Sequence, residues 1–214
     1  MTFFKLVLIC HIIAGFISLF LGTFILIRKK GNKVHKKLGK IFAIAMVSNG
    51  LLAFVLSYIH PNLFLFIVGV FSIYLTITGY RAISLKNISK DERPKLFDYI
   101  VTLLMFLASF VFLYFGICYL LKSEIFGIVL CLFGLISMRL CFIDYKRYKK
   151  TAQEDKLQWL KNHLGRMSGA YIASFTAFLV VNNTYLPDYL AWSLPGIVGV
   201  FFIFRTIRKL DAKK

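Results

Sequence analysis

Four histidines, His11, His35, His60 and His163, are the side chains of this sequence best suited to chemistry. An imidazole exchanges a proton near neutral pH, and either ring nitrogen can ligate haem iron, copper or zinc. Set against the apolar stretches of the chain, His11 and His60 fall near one membrane face, and His35 and His163 near the other. Two histidines at each face is the number that a membrane cytochrome with two haems would use. His11 lies about 12 Å below the end of its helix at helical rise, and a polar ring at that depth needs a partner. The other three have plainer readings. His35 stands in a run of lysines, His60 precedes Pro61, and His163 opens an apolar run where it could cap a helix or meet headgroup phosphates. Arg139 is a cation inside the fifth apolar stretch. It can snorkel toward water and pair with Asp144 or Asp98, or meet an anionic group such as a haem propionate.

Seven apolar stretches must position these residues. They run near 3–27, 38–59, 63–84, 98–121, 125–143, 164–182 and 189–207, and each has the roughly 20 residues that cross a bilayer core as a helix. With 59% hydrophobic and 17% charged residues among 214, the chain has too few polar side chains to cover a soluble domain. The expected fold is therefore all-α, a polytopic membrane helix bundle forming one transmembrane domain over 1–214. The first stretch is too long for a signal peptide and no small-residue cleavage pattern follows it.

Charge sets the expected orientation. Of the 27 Lys and Arg residues, 24 lie in every second connection and in the tail, whereas HPN, KSE and NNTYLPD are nearly uncharged. Cations are retained on the cytoplasmic side, so the N-terminus is expected outside and the C-terminus in the cytoplasm of a bacterial inner membrane. The net charge of +18 is then a topological signal. It predicts membrane lipids as partners, not nucleic acid. A membrane-protein partner or a homo-oligomer stays open. Cys10, Cys118, Cys131 and Cys141 all fall in apolar runs without C-x-x-C spacing and read as buried thiols.

Several classes of chemistry are missing. All nine carboxylates fall at helix ends or in loops, so no carboxylate proton relay crosses the membrane. There is no H-E-x-x-H, no G-x-S-x-G and no phosphate loop, so no catalytic motif is visible. Polar residues within the stretches include Ser48, Asn49, Thr76, Thr78, Ser168, Ser174 and Thr176. Gly165 and Gly169 have the spacing of a helix-packing pair. Leu164-Gly165-Arg166 echoes Leu38-Gly39-Lys40 at the start of two helices.

The histidine-bearing segments carry a resemblance. His11 is followed four residues later by Gly15. His35-Lys36-Lys37-Leu38-Gly39-Lys40-Ile41-Phe42 has the form His-basic-x-x-Gly-basic-x-aromatic. His163 is followed four residues later by Met167, and Gly79-Tyr80-Arg81 ends the third helix. In these features the chain resembles a bacterial family of predicted multi-helix inner-membrane proteins known only as a domain of unknown function. Lys36 and Phe42 stand where Arg and Tyr are commoner in that family. The resemblance implies the fold and the location and carries no activity. The residues themselves point to a haem b or transition-metal redox component, with His11 and His163 ahead of His35 and His60. A small-molecule transporter or channel, and a non-catalytic assembly subunit, are the alternatives.

Overall fold

The computed structural model describes residues 2–86, 88, 93–149 and 156–212. Seven helices follow in order: α1 (Phe3–Ile27), α2 (Lys33–Ile59), α3 (Leu63–Ser84), α4 (Leu96–Leu121), α5 (Phe126–Tyr148), α6 (Gln158–Val181) and α7 (Asp188–Asp211). All seven are long and apolar enough to cross a membrane, and no strand occurs among the described residues. The chain is a multi-pass membrane protein, and its exposed Phe, Leu and Ile side chains are a surface for lipid.

Helix boundaries depart from the apolar stretches in one direction. Four helices run past them at their basic ends: α2 starts at Lys33, α5 ends at Tyr148, α6 starts at Gln158 and α7 ends at Asp211. Apolar content marks where lipid tails stop, but Lys, Arg and Gln are good helix formers and carry the helix onward into the headgroup layer. Asn32 supplies the stop for α2, accepting a hydrogen bond from the His35 amide at 2.8 Å. Gly31, at φ +86°, makes the turn from α1, a backbone angle that few other residues adopt without strain.

The chain divides into two compact units. One comprises residues 1–80 and 161–214. Within it α1 packs along α2. Gly50 and Gly69 bring α2 and α3 so close that a Cβ on Gly50 would lie 3.0 Å from the Gly69 carbonyl oxygen. Gly79 of α3 abuts Arg166 and Met167 of α6. Tyr171 of α6 reaches back to α1, its hydroxyl 2.8 Å from that of Thr23. These four contacts close a ring of α1, α2, α3 and α6. Outside the ring α7 lies against α6, where Lys161 pairs with Asp211, and against α3, where Trp192 meets Phe64.

The second unit comprises residues 81–160. Its α4–α5 hairpin packs backbone to backbone, and a Cβ on Gly127 would stand 2.6 Å from the Gly116 carbonyl oxygen. The basic end of this hairpin carries buried charge. Arg81 donates from Nε and Nη2 to the two oxygens of Asp98 at 2.7 and 2.6 Å, and the Lys95 amide adds a third bond at 2.8 Å. Arg147 donates to the Leu85 carbonyl at 2.9 Å.

The spacing Gly165-x-x-x-Gly169 does not pack as expected. Gly169 faces Leu75, but nothing lies within 4 Å of a Cβ built on Gly165. The carboxylates Asp98, Glu124, Asp144, Asp188 and Asp211 stand at helix ends, and Asp91, Glu92, Glu154 and Asp155 lie outside the described residues.

Candidate functional site

The ring of α1, α2, α3 and α6 brings together some of the residues singled out above and separates others. His35 and His163 meet. They sit in the first turn of α2 and the second turn of α6, with ring centroids 6.4 Å apart and planes at 80°. The expectation that His163 opens its helix is corrected by the start of α6 at Gln158, five residues earlier. The ring is half-buried instead of capping, and Nδ1 lies 2.9 Å from the Gly79 carbonyl. A carbonyl only accepts, so Nδ1 carries the proton and Nε2 keeps its lone pair.

His11 is built the same way. Its Nδ1 donates to the Asn49 carbonyl of α2 at 3.1 Å, which supplies the partner its depth demands and again leaves Nε2 as an acceptor. His60, by contrast, is exposed at the end of α2 with its ring against Phe4, centroids 4.4 Å apart. Phe4 stands seven residues, about 10 Å of helix, from His11. The outer two histidines therefore do not converge as the inner two do.

Arg139 is exposed on α5, nine residues from the end of that helix. The cause is the extension of α5 to Tyr148. Asp98, one of its expected partners, holds Arg81 instead.

Between the two histidine positions runs a line of buried polar atoms. Asn49 Oδ1, Ser72 Oγ and Thr76 Oγ1 are shielded from solvent and find no hydrogen-bond partner among the described residues. Thr76 is fully buried and Ser72 is 4% exposed. Most serine and threonine hydroxyls in a helix bond back to the preceding turn, as Thr78 does to Tyr74 and Ser18 to Gly15. These two do not. On α3, Gly69 and Ile73 face α2, while Leu75 and Gly79 face α6. At 100° per residue Ser72 and Thr76 fall between those directions, toward the interior of the ring.

Their levels form a stair. Thr76 stands about 4.5 Å along the helix from Gly79, the partner of His163, and Ser72 about 6 Å further. Gly50 packs on Gly69 and Ile73, which bracket Ser72, so the adjacent Asn49 shares that level. Asn49 Oδ1 faces Gly15 of α1, and the Asn49 carbonyl holds His11. By level along the helices, Thr76, Ser72 and Asn49 thus stand between His163 and His11.

Sequence reasoning missed two residues around this line and one in the other unit. Ser72 passes unnoticed among apolar neighbours. Arg166, counted with the basic loops, is buried, donates to the Thr78 hydroxyl at 2.9 Å and lies over the Tyr74 ring. Arg81, at the end of the Gly79-Tyr80-Arg81 motif, is the partner of Asp98. The available signal was helical spacing: once α6 is extended back to Gln158, His163 and Arg166 fall three residues apart on one face.

Comparison with protein families matches residues 8–142 to a family described as a predicted membrane protein, DUF2306. The chain belongs to that family. In this family member the matched stretch holds His11, His35, His60, Asn49, Ser72 and Thr76, and it ends before α6, so His163 and Arg166 lie beyond it. Neither curated proteins nor solved structures give a match.

What the site can hold follows from its donors. Among the described residues no three His, Cys, Asp or Glu side chains converge on a point that could hold a metal ion. A bare zinc or copper ion wants three or four protein ligands, and His35 and His163 supply two. The cavity beside His35 measures about 190 Å³, below the 300 Å³ or so at which small-molecule sites begin.

Proposed function

We propose that this DUF2306 protein conducts protons through the ring of α1, α2, α3 and α6, a channel or transporter whose conducting groups are His11, Asn49, Ser72, Thr76 and His163. One observation carries the reading: three buried polar atoms on the line between the histidines have unmet hydrogen-bonding capacity. Leaving such an atom unpaired costs about 1–3 kcal/mol, so a native structure keeps it for use. Hydroxyls both donate and accept, and the amide oxygen accepts. Each can order a water, and the axial step of about 6 Å from Ser72 to Thr76 is the span of one bridging water. His11 and His163, each held by Nδ1–H on a neighbouring helix and open at Nε2, take up and release the proton at the two ends. Arg166 stays beside His163 and disfavours entry of other cations.

In this reading the N-terminus is outside and the C-terminus cytoplasmic, in a bacterial inner membrane, because 24 of the 27 Lys and Arg residues flank one set of helix ends. His163 and His35 then form the cytoplasmic end.

The test is proton flux into liposomes of purified protein, driven by a potassium diffusion potential and read with an internal pH dye. Wild type should conduct, and the Ser72→Ala/Thr76→Val double variant should fall about tenfold or more while remaining folded. Equal flux in the two would remove the proposal, as would wild-type flux no faster than that of empty liposomes.

The spacing of His35 and His163 favours a second reading, a b-type haem redox component. Two imidazoles on one iron, across bonds of about 2 Å, stand roughly as far apart as these rings. The macrocycle supplies the remaining donors. The small cavity weighs against it. A Soret band in purified protein that disappears in His163→Ala would put this reading in place of the first.

A further inference from the structure

The turn between α1 and α2 builds a pocket that the proton line does not use. It is lined on its polar side by Arg28, Lys29, Asn32 and His35, and on its apolar side by Phe24, Ile25, Val34 and Leu38. Both sides come from residues 24–38. Gly31, with its positive φ, folds Arg28 and Lys29 back beside the first turn of α2, and Phe24, Ile25 and Leu38 belong to the apolar stretches themselves. Arg28 is held in place, its guanidinium 4.9 Å from the centre of the Phe24 ring. Lys30 donates to the Leu26 carbonyl at 3.1 Å.

We infer that this pocket seats the phosphate headgroup of an anionic phospholipid, with the first carbons of its chains against Phe24, Ile25 and Leu38. Three features select that ligand. No carboxylate lies among the lining residues, so Arg28 and Lys29 offer two cations to an anion. The volume of about 190 Å³ suits a phosphodiester with its glycerol. The apolar half of the lining gives nothing to a free phosphate ion but matches a molecule that is anionic at one end and hydrocarbon at the other. The pocket also stands where two membrane-length helices meet at their basic ends, the depth of the headgroup layer. His35 lines it and touches His163, so the bound lipid adjoins the end of the proton line, although its binding does not depend on proton conduction.

Thermal unfolding of the full chain in uncharged detergent tests this, with added phosphatidylglycerol, phosphatidylcholine or inorganic phosphate. Phosphatidylglycerol should raise the unfolding temperature by several degrees, and phosphatidylcholine and millimolar phosphate should not. The Arg28→Gln/Lys29→Gln variant should need about tenfold more phosphatidylglycerol for the same shift. Lys36→Gln/Lys37→Gln, which removes the same charge outside the pocket, should respond as wild type. An equal loss in both variants would reduce the effect to general charge attraction and overturn the site. A shift produced equally by inorganic phosphate would overturn the lipid as its occupant.

Discussion

The two units of the molecule differ in how they treat buried hydroxyl and amide groups. In residues 81–160 the buried polar groups are tied to partners: Arg81 and Asp98 make a two-point ion pair, Arg147 donates to the Leu85 carbonyl, and the Thr102 hydroxyl donates to the Asp98 carbonyl at 3.0 Å. In the ring of α1, α2, α3 and α6, Asn49, Ser72 and Thr76 keep unmet atoms in the interior. A matched buried group holds a structure together, and an unmatched one weakens it. The contrast assigns stability to the polar residues of 81–160 and function to those of the ring, although both lie in membrane-length helices.

The largest effect should come from breaking the ion pair. Asp98→Ala leaves the Arg81 guanidinium without its anion and should cost about 3 kcal/mol, read as a loss of unfolding free energy in detergent. Proton flux per folded molecule should not change. Next comes the hairpin: Gly127→Val drives a side chain into the Gly116 carbonyl and should cost about 1–3 kcal/mol. The sharpest comparison uses one substitution in both units. Thr102→Val removes a hydroxyl that has a partner and should destabilise by about 1 kcal/mol. Thr76→Val removes one that has none and should leave stability level or raised, while lowering flux. A loss of stability in both would erase the distinction drawn here. At the small end, His60→Ala at an exposed helix end should change stability by no more than about 0.5 kcal/mol and leave flux intact.

Much of the fold could be read from the sequence because the bilayer imposes a length and a polarity on every span. The bounds of α1 and α3 agree with their apolar stretches to the residue. The basic helix ends did not, since Lys33–Lys37 and Gln158–His163 are helical without being apolar. The site was legible only in part. His11 stood out by depth, and His163 and His35 by residue type. That the inner two meet and His11 and His60 do not depends on which helices are neighbours, and that is set by glycine contacts such as Gly50 with Gly69. Ser72 and Thr76 were hardest to see. A serine or threonine in a membrane helix ordinarily satisfies itself, and no spacing in the sequence marks the two that do not.

The division of the chain has a consequence for its synthesis. The unit that carries the histidines is discontinuous, residues 1–80 and 161–214, with the α4–α5 hairpin emerging between its parts. When a ribosome has completed α3, the partners of Gly79 and Thr78 have not yet been made. The hairpin can form its own glycine contact and its Arg81–Asp98 pair while the ring still waits for α6. His35 acquires His163 as a neighbour only after three quarters of the chain has been translated. A nascent or truncated chain ending before Gln158 would therefore insert with its ion pair in place and its polar line open on one side, so the conducting path is among the last features of the protein to exist.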